Sequence, residues 1–140
     1  MIPIYIPSYN RASTIKTTKW LDKSGLNYMV LLHSEQCKYD YLKAGIVKEK
    51  NIIVTGTAKG ITNQRNWMTK NLSIRGEWFI SLDDNISGFK MVIDKYYHSK
   101  KMLNVNSSNI TQQDYNQQIN AKQFIELVKK DIVIADKINS

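Results

Sequence analysis

Apolar positions in the first eighty residues follow two alternating patterns. Short, nearly continuous apolar runs predict four strands, at residues 2–6, 28–32, 51–55 and 78–82. Longer stretches, in which apolar residues recur every three or four positions, predict helices at residues 13–23, 35–44 and 61–72. Strands that alternate with helices are typical of βαβ units, so the pattern predicts an α/β fold with a mainly parallel sheet and flanking helices.

The pattern is weaker after Asn85. Residues 114–130 have apolar positions at helical spacing and predict a further helix, and residues 131–135 predict the start of another strand. The polar stretch at 103–113 predicts a loop. Because the chain has no linker-like composition and no internal repeat, its 140 residues predict a single domain.

The most polar segments of the first half all follow predicted strands. These segments are residues 7–11, 33–35, 55–60 and 83–85. In a parallel sheet with right-handed crossovers, the carboxyl ends of the strands lie on one edge, and ligands of open α/β sheets bind there. The four segments therefore predict a binding or catalytic site at that edge.

Two adjacent acids and an amide, Asp83, Asp84 and Asn85, end the fourth predicted strand. Carboxylates at the end of a buried strand are costly unless they pair with a cation. Their oxygens are hard ligands suited to Mg²⁺ or Mn²⁺, which usually bind together with a phosphate-bearing substrate. The alternative is a strand-ending turn, since Asp and Asn are common turn residues.

The segment after the first strand contains Pro7, Ser8, Tyr9 and Arg11. A nucleotide needs an apolar ring or face against its base and a cation near its diphosphate, and this segment offers both. The alternative is an ordinary connection to a capped helix. After the second strand, Glu35 is a candidate to bind a base or ribose; the alternative is an acid that the helix dipole favours.

Gly60 precedes the third predicted helix, with Arg65 and Asn66 about one turn further on. Gly60 allows close backbone approach, and the helix N-terminus offers N–H groups to an anion. Arg65 and Asn66 are then placed to reach a ligand or the Asp83 region. In the alternative, Arg65 is a solvated helix residue and Trp67 belongs to the core.

Several function classes lose support from the sequence. No Walker sequence and no GxGxxG fingerprint is present, which argues against kinases, NTPases and Rossmann dehydrogenases. His33 and His98 lack partners at zinc-ligand spacing. The single cysteine, Cys37, cannot form an internal disulfide, so a reducing cytoplasm is the expected location, and a small buried or half-buried residue is its expected role.

The net charge of +8 permits a polyanionic partner but does not demonstrate one. Of the 20 basic residues, 17 are lysines, and they are scattered along the chain rather than collected in a basic tail. Readers of phosphates and bases favour arginine, of which the chain has only three. No apolar run approaches the length of a membrane span, so no membrane partner is expected.

Three segments, taken in order, resemble a GT-A-fold glycosyltransferase. They are Ile4-Tyr5-Ile6-Pro7-Ser8-Tyr9-Asn10-Arg11, Gly60-Ile61-Thr62-Asn63-Gln64-Arg65-Asn66 and Leu82-Asp83-Asp84-Asn85-Ile86. They are most similar to the phage and TET-associated glycosyltransferases, which carry a PSYNR segment, a GIxxxRN segment and a DDDI-like strand end. The resemblance covers roughly residues 2 to 90.

The resemblance implies a nucleotide-sugar donor, with a UDP-sugar expected, and a divalent Mn²⁺ or Mg²⁺ ion. The motif after the first strand would line the nucleotide pocket, through Pro7, Ser8, Tyr9 and Arg11. In the same comparison, Arg65 and Asn66 would position the diphosphate or the acidic loop. Asp83 and Asp84 would contact ribose and metal. Asn85 occupies the third position of this DXD-like motif, where the family has an acid, and its neutral amide is a weaker metal ligand.

The resemblance also implies two halves, a nucleotide-sugar-binding half at residues 1–90 and an incomplete acceptor half at 91–140. An inverting enzyme of this fold takes its general base from the acceptor half, and no residue there is marked as that base. The acceptor would be a hydroxyl, which in the resembled group can belong to a hydroxymethylated pyrimidine of phage DNA. Such an enzyme would work in the host cytoplasm. The alternative function is a non-catalytic module that binds nucleotides or nucleic acid.

Overall fold

The structure is a computed structural model that describes residues 2–72, 77–92 and 116–139. The chain divides into two compact units, Met1–Ser87 and Gly88–Ser140. Each unit contains its own sheet.

The first unit is built on a four-stranded sheet in which all strands are parallel. Its strands are β1 (Ile4–Pro7), β2 (Met29–Leu32), β3 (Ile52–Val54) and β4 (Ile80–Ser81). Its helices are α1 (Thr17–Lys23), α2 (Glu35–Ala44) and α3 (Ile61–Asn71), with a 3₁₀ turn at Glu49–Asn51. The predicted α/β class with a parallel sheet and flanking helices is confirmed.

The strand order β3-β2-β1-β4 creates a switch point beside β1. From β1 the chain builds outward through β2 to β3, and α3 then carries it back to β4 on the other side of β1. At such a point the connections leave neighbouring strands in opposite directions and open a crevice at their carboxyl ends. The ends of β1 and β4 are therefore where this sheet can hold a ligand.

The core of the first unit lies around β2, which is flanked by β1 and β3. Val30, Leu31 and Leu32 have no exposed surface, as the continuous apolar run predicts for a strand covered on both faces. Ile6 of β1 and Leu21 of α1 are also fully buried. This packed centre holds the β1 end in a fixed position.

Helix α2 has the predicted bounds because local signals define both ends. The Ser34 hydroxyl accepts a hydrogen bond from the Cys37 N–H at 3.2 Å, which caps the first turn. At the other end Gly45 adopts a left-handed conformation with φ of 77° and ends the helix. Cys37 is half-buried, within the expected range.

Helix α1 begins at Thr17, so the prediction of residue 13 as its start was wrong. Residues 11–15 form turns instead, in which the N–H groups of Thr14 and Ile15 bond to the Arg11 carbonyl. The N–H groups of Lys16 and Thr17 bond to the carbonyl of Asp84, at 2.9 and 3.4 Å. A tertiary contact therefore uses the donors that an earlier helical turn would need.

Two aromatic residues are less buried than the sequence predicts. Trp78 precedes the short β4 and is 48 % exposed, so the strand predicted for residues 78–82 is reduced to Ile80–Ser81. Trp67 on α3 is half-buried, whereas Gln64 and Met68 form the buried positions of that helix. The assignment of Trp67 to the core was therefore only partly right.

The second unit contains an antiparallel pair and a long helix. Strands β5 (Phe89–Val92) and β6 (Asn116–Ile119) pair with Phe89 opposite Ile119, and α4 covers Ala121–Asn139. The helix predicted for residues 114–130 therefore starts too early, and the strand predicted for 131–135 is wrong because those residues belong to α4. The predicted loop at 103–113 and His98 lie outside the described residues.

A reciprocal cap defines the start of α4. The Asn120 side-chain oxygen accepts from the Gln123 N–H, and the Gln123 side-chain oxygen accepts from the Asn120 N–H, both at 2.9 Å. This capping box separates the helix from the polar strand before it. Among the helices of the described ranges, none is both long enough and apolar enough to cross a bilayer.

Candidate functional site

A pocket of about 190 Å³ lies at the carboxyl ends of β1 and β4. It is lined by Pro7, Ser8, Tyr9, Arg11, His33, Gly60, Ile61, Gln64 and Asp84. Five of the residues predicted to bind a donor line it, together with the predicted metal ligand Asp84. The switch-point edge thus brings together segments that are far apart in the sequence.

Asp84 is the buried acid of this pocket, with its side chain 12 % exposed. Its Oδ2 atom accepts a hydrogen bond from the Ser8 hydroxyl at 2.7 Å. Its Oδ1 atom lies 3.2 Å from the Arg11 Nε atom, which gives the carboxylate a cationic partner. Both oxygens are therefore satisfied by the segment that follows β1, which is what burial of a carboxylate requires.

Tyr41 of α2 supports the same network from below the pocket. Its hydroxyl lies 2.5 Å from Ser8 Oγ and accepts a hydrogen bond from the Arg11 backbone N–H at 3.0 Å. Ser8 has one proton, which it donates to Asp84, so Tyr41 is the donor in its contact with Ser8. Ser8 is left with one free lone pair, and it can only accept a hydrogen bond from a ligand.

Burial raises the pKa of Tyr41 above its ordinary value of 10.0. The phenol therefore stays protonated, and able to donate, throughout the neutral range. The spacing of Tyr41 from Cys37 places it on one helix face, but no feature of the sequence distinguishes its hydroxyl from that of a plain core tyrosine. Sequence reasoning missed this residue.

Thr17 fixes the backbone of the acidic turn. Its hydroxyl donates to the carbonyl of Asp83 and accepts from the Ile86 N–H at 3.0 Å. Together with the bonds from Lys16 and Thr17 to the Asp84 carbonyl, these contacts attach the turn to the start of α1. The turn is therefore held at several points along its backbone, independently of its side chains.

Asp83 has the opposite environment to its neighbour. Its side chain is 63 % exposed and its Oδ1 atom lies 3.3 Å from Arg65 Nη2, which belongs to a side chain 56 % exposed. Exposed ion pairs of this kind contribute about 0–1 kcal/mol, so a ligand can displace the contact at low cost. Asn85 is exposed as well.

The N-terminus of α3 forms another wall of the pocket. Gly60 precedes the helix with φ of 117°, and both Gly60 and Ile61 line the pocket. The N–H groups of a first helical turn lack intrahelical partners and favour anions. Gln64 is buried one turn further and accepts a hydrogen bond from the Thr55 hydroxyl at 2.9 Å. Gln64 is the polar one of the two buried residues of α3, and that polar residue on an otherwise apolar face was the sequence signal that could have identified it.

Tyr9 and His33 lie side by side at the pocket, with ring centroids 5.3 Å apart and planes tilted by 59°. The Lys59 ammonium lies 5.7 Å from the centre of the Tyr9 ring. His33 Nδ1 is 3.4 Å from the Cys37 sulfur. His33 follows β2 directly, and the sequence predicts residues 33–35 at this edge although His33 has no partner at zinc-ligand spacing.

Four predicted donor-binding residues, Asp83 among them, lie outside the pocket lining. Glu35 is the exposed first residue of α2, where the helix dipole favours an acid. Asn66 is exposed on α3. Arg65 contacts Asp83 rather than the pocket itself.

No protein-family model, curated protein or solved structure matches this chain. What the pocket can do follows from its own side chains. It combines an apolar wall, a buried carboxylate with two partners, a partly exposed guanidinium group and a helix N-terminus.

The donor set for a divalent ion is small. Within the described residues, no three His, Cys, Asp or Glu side chains come close enough together to hold a metal. The oxygens of Asp84 already have protein partners, whereas Asp83 and Asn85 are exposed. Such a set fits a cation that takes its other ligands from water and from substrate phosphates, as Mg²⁺ commonly does.

Proposed function

We propose that this chain is a metal-dependent glycosyltransferase with a GT-A-like donor-binding half, which transfers a sugar from a UDP-sugar to an acceptor hydroxyl. One observation carries the proposal. The two adjacent aspartates of the third motif each pair with an arginine of a different motif, Arg11 with Asp84 and Arg65 with Asp83. The three motifs on which the resemblance rests therefore meet at one sheet edge.

The pocket offers a separate surface for each part of a nucleotide. Pro7, Tyr9 and Ile61 supply an apolar wall for a base, and Ser8 can accept one hydrogen bond from a base N–H or a ribose hydroxyl. The first turn of α3 favours a phosphate. Since ligand pockets usually measure about 300–1,000 Å³, this smaller space suits the nucleoside part, with diphosphate and sugar at its rim.

Two arginines are available to the diphosphate. The Arg11 side chain is 46 % exposed although its Nε atom contacts Asp84, so its remaining N–H groups can bind phosphate oxygens. Arg65 becomes available when its weak contact with Asp83 is replaced. Both cations would stabilise the charge that develops on the departing nucleoside diphosphate.

The residues present fit a divalent ion that is shared with the donor. Asp83 and Asn85 would hold it, and the turn that Thr17 attaches to the start of α1 would present them, while the Asp84 side chain holds Ser8 and Arg11. When bound, such an ion neutralises charge on the diphosphate leaving group. The proposed donor site therefore separates a structural acid, Asp84, from a cation-binding acid, Asp83.

The proposed acceptor is a hydroxymethylated pyrimidine in DNA, a polyanionic partner that the net charge of +8 permits. The same charge permits a second candidate, a non-catalytic module that binds nucleotides or nucleic acid. That module would bind DNA with a strong salt dependence and without a divalent ion. Requirement for a metal therefore discriminates between the two functions.

The deciding experiment is calorimetric titration of UDP into the chain with Mn²⁺ and then with EDTA. We expect binding that requires the metal and that Asp83→Asn weakens at least tenfold. Glu49→Gln is the matched control, because Glu49 is also a mostly exposed acid, and its carboxylate lies 3.3 Å from the Lys38 ammonium, away from the pocket. Absence of UDP binding under both conditions would overturn the proposal, and metal-independent, salt-sensitive DNA binding would favour the second candidate.

A further inference from the structure

Tyr41 is placed to control the pocket without touching its contents. The side chain is 1 % exposed and does not line the pocket. Its hydroxyl nevertheless reaches the segment after β1 at two points, the Ser8 side chain and the Arg11 backbone N–H. A buried hydroxyl with both a donor and an acceptor partner is a fixed point for that segment.

The three hydrogen bonds that connect Arg11, Tyr41, Ser8 and Asp84 all donate in the same direction along the series. The Arg11 N–H donates to Tyr41, Tyr41 donates to Ser8, and Ser8 donates to Asp84. Each hydrogen bond in this series aligns the next, because each hydroxyl has only one proton to give. Removing the tyrosine hydroxyl leaves Asp84 as the one side-chain partner of Ser8 in this series, and leaves the Arg11 N–H without its acceptor.

We propose that Tyr41 is a positioning residue of the donor site, which holds Ser8, Arg11 and Asp84 in the arrangement that accepts the nucleotide. The nucleotide as ligand rests on the function proposed above. The positioning itself rests on the three hydrogen bonds and is independent of what the pocket binds.

Tyr41→Phe removes the hydroxyl and keeps the ring. Tyr28→Phe is the matched control, because Tyr28 is also a buried tyrosine whose hydroxyl donates to a side chain, Asp22 Oδ1 at 3.0 Å, away from the residues that line the pocket. We expect similar falls in melting temperature for both variants. Affinity for UDP with Mn²⁺ should fall about tenfold in Tyr41→Phe alone, measured well below the melting temperature.

A double-mutant cycle separates positioning from a merely structural role. If Tyr41 acts partly through Ser8, the Ser8→Ala/Tyr41→Phe double variant loses less UDP affinity than the two single losses together, because only the contact with the Arg11 N–H remains for Tyr41 to lose. Affinity in Tyr41→Phe equal to that of the unaltered chain would overturn the proposal, and so would losses in the double variant that equal the sum of the single losses.

Amide hydrogen exchange tests the positioning without any ligand. Tyr41→Phe should accelerate exchange at least tenfold at the Arg11 amide, and Tyr28→Phe should leave it unchanged. If the unaltered chain fails to bind UDP, the proposed function falls, while faster exchange at Arg11 still supports the positioning role. Unchanged exchange at Arg11 in Tyr41→Phe would overturn that role whatever UDP does.

Discussion

Asp83 and Asp84 are chemically identical neighbours in different environments, so replacing each by asparagine tests the description of the site. Asp84→Asn keeps the shape of the side chain and removes its charge. In one orientation of the asparagine, its oxygen accepts from Ser8 and its N–H₂ group faces the Arg11 Nε–H, so two donors face each other. In the opposite orientation, the N–H₂ group faces Ser8, and the Ser8 proton loses its acceptor. Either orientation breaks one of the two contacts.

The expected cost follows from the two contacts. A hydrogen bond to a charged, buried acceptor contributes about 1.5–3 kcal/mol. The Arg11 contact adds at most about 0.5 kcal/mol, because nearly half of the arginine side chain is exposed and solvent screens the pair. In the less costly orientation Ser8 keeps its acceptor but the acceptor is neutral, which costs about 1–1.5 kcal/mol. With the Arg11 contact also lost, we expect Asp84→Asn to lower the free energy of unfolding by about 2 kcal/mol and the melting temperature by about 6 °C for a chain of this size.

The matched variant Asp83→Asn should change the free energy of unfolding by less than about 0.5 kcal/mol, since both members of its ion pair are mostly exposed. Urea denaturation followed by circular dichroism measures both values, and calorimetry with UDP and Mn²⁺ gives the binding side. Asp83→Asn should lose binding without losing stability. Equal stability losses in the two variants would refute the assignment of Asp84 as the buried structural acid.

Two further predictions concern backbone strain and pH. Gly60→Ala should lower the free energy of unfolding by about 1–3 kcal/mol, because φ of 117° is strained for any L-residue. Steric crowding adds no further cost, since the atom nearest to an added Cβ is Asn63 Nδ2 at 3.9 Å. Thermal denaturation should show a smaller loss of stability for Gly45→Ala, because its φ of 77° lies in the left-handed helical region. A larger loss for Gly45→Ala than for Gly60→Ala would contradict this reasoning. Burial raises the pKa of Tyr28 and of Tyr41 above the ordinary 10.0, so the folded chain keeps two protons that the unfolded chain releases above about pH 10. Stability should therefore be complete below pH 10 and fall as pH rises beyond it, with a shallower fall in Tyr28→Phe; urea midpoints that stay level up to pH 11.5 would contradict this.

The sheet and the first three helices could be predicted because their signals are local. The apolar run at residues 28–32 contains the buried β2, and Ser34 and Gly45 delimit α2 by capping and backbone conformation. Predictions failed where a distant residue decides the outcome. The carbonyl of Asp84 takes the N–H groups of Lys16 and Thr17, and no feature near residue 13 reveals that contact.

The second unit was poorly predicted because β-branched residues follow one another at 132–134. That run favours a strand by propensity. The apolar positions Ile125, Val128, Ile132 and Ala135 are nevertheless spaced by three and four residues, as in a helix, and the capping box at Asn120 and Gln123 marks its start. Spacing and capping outweigh propensity here, so the helix predicted for residues 114–130 begins at Ala121 and continues through the β-branched run.

The sequence predicts that the site lies at the carboxyl edge of the sheet, but it does not predict which side chains contact each other there. Parallel topology alone places the segments after β1 and β4 together, which is why Ser8, Arg11 and Asp84 could be named in advance. Which aspartate is buried depends on the turn that Thr17 holds, and that turn is defined by tertiary contacts between residues far apart in the sequence. Tyr41 and Gln64 were missed because their polar atoms matter only through hydrogen bonds to residues of other segments, and the sequence does not show those contacts.

The position of β4 links the pocket to the order in which the chain folds. Strand β1 is an inner strand only because β4 covers its second side, through the pairs Ile4 with Ile80 and Tyr5 with Ser81. Before β4 docks, a growing chain has β1 as an open edge, which is a template for pairing with other chains. Ser8 and Asp84 are 76 residues apart, so docking of β4 completes the pocket and closes that edge in the same event. A molecule that binds the pocket therefore also favours the closed edge, and the stabilisation rises with the logarithm of its concentration relative to its dissociation constant.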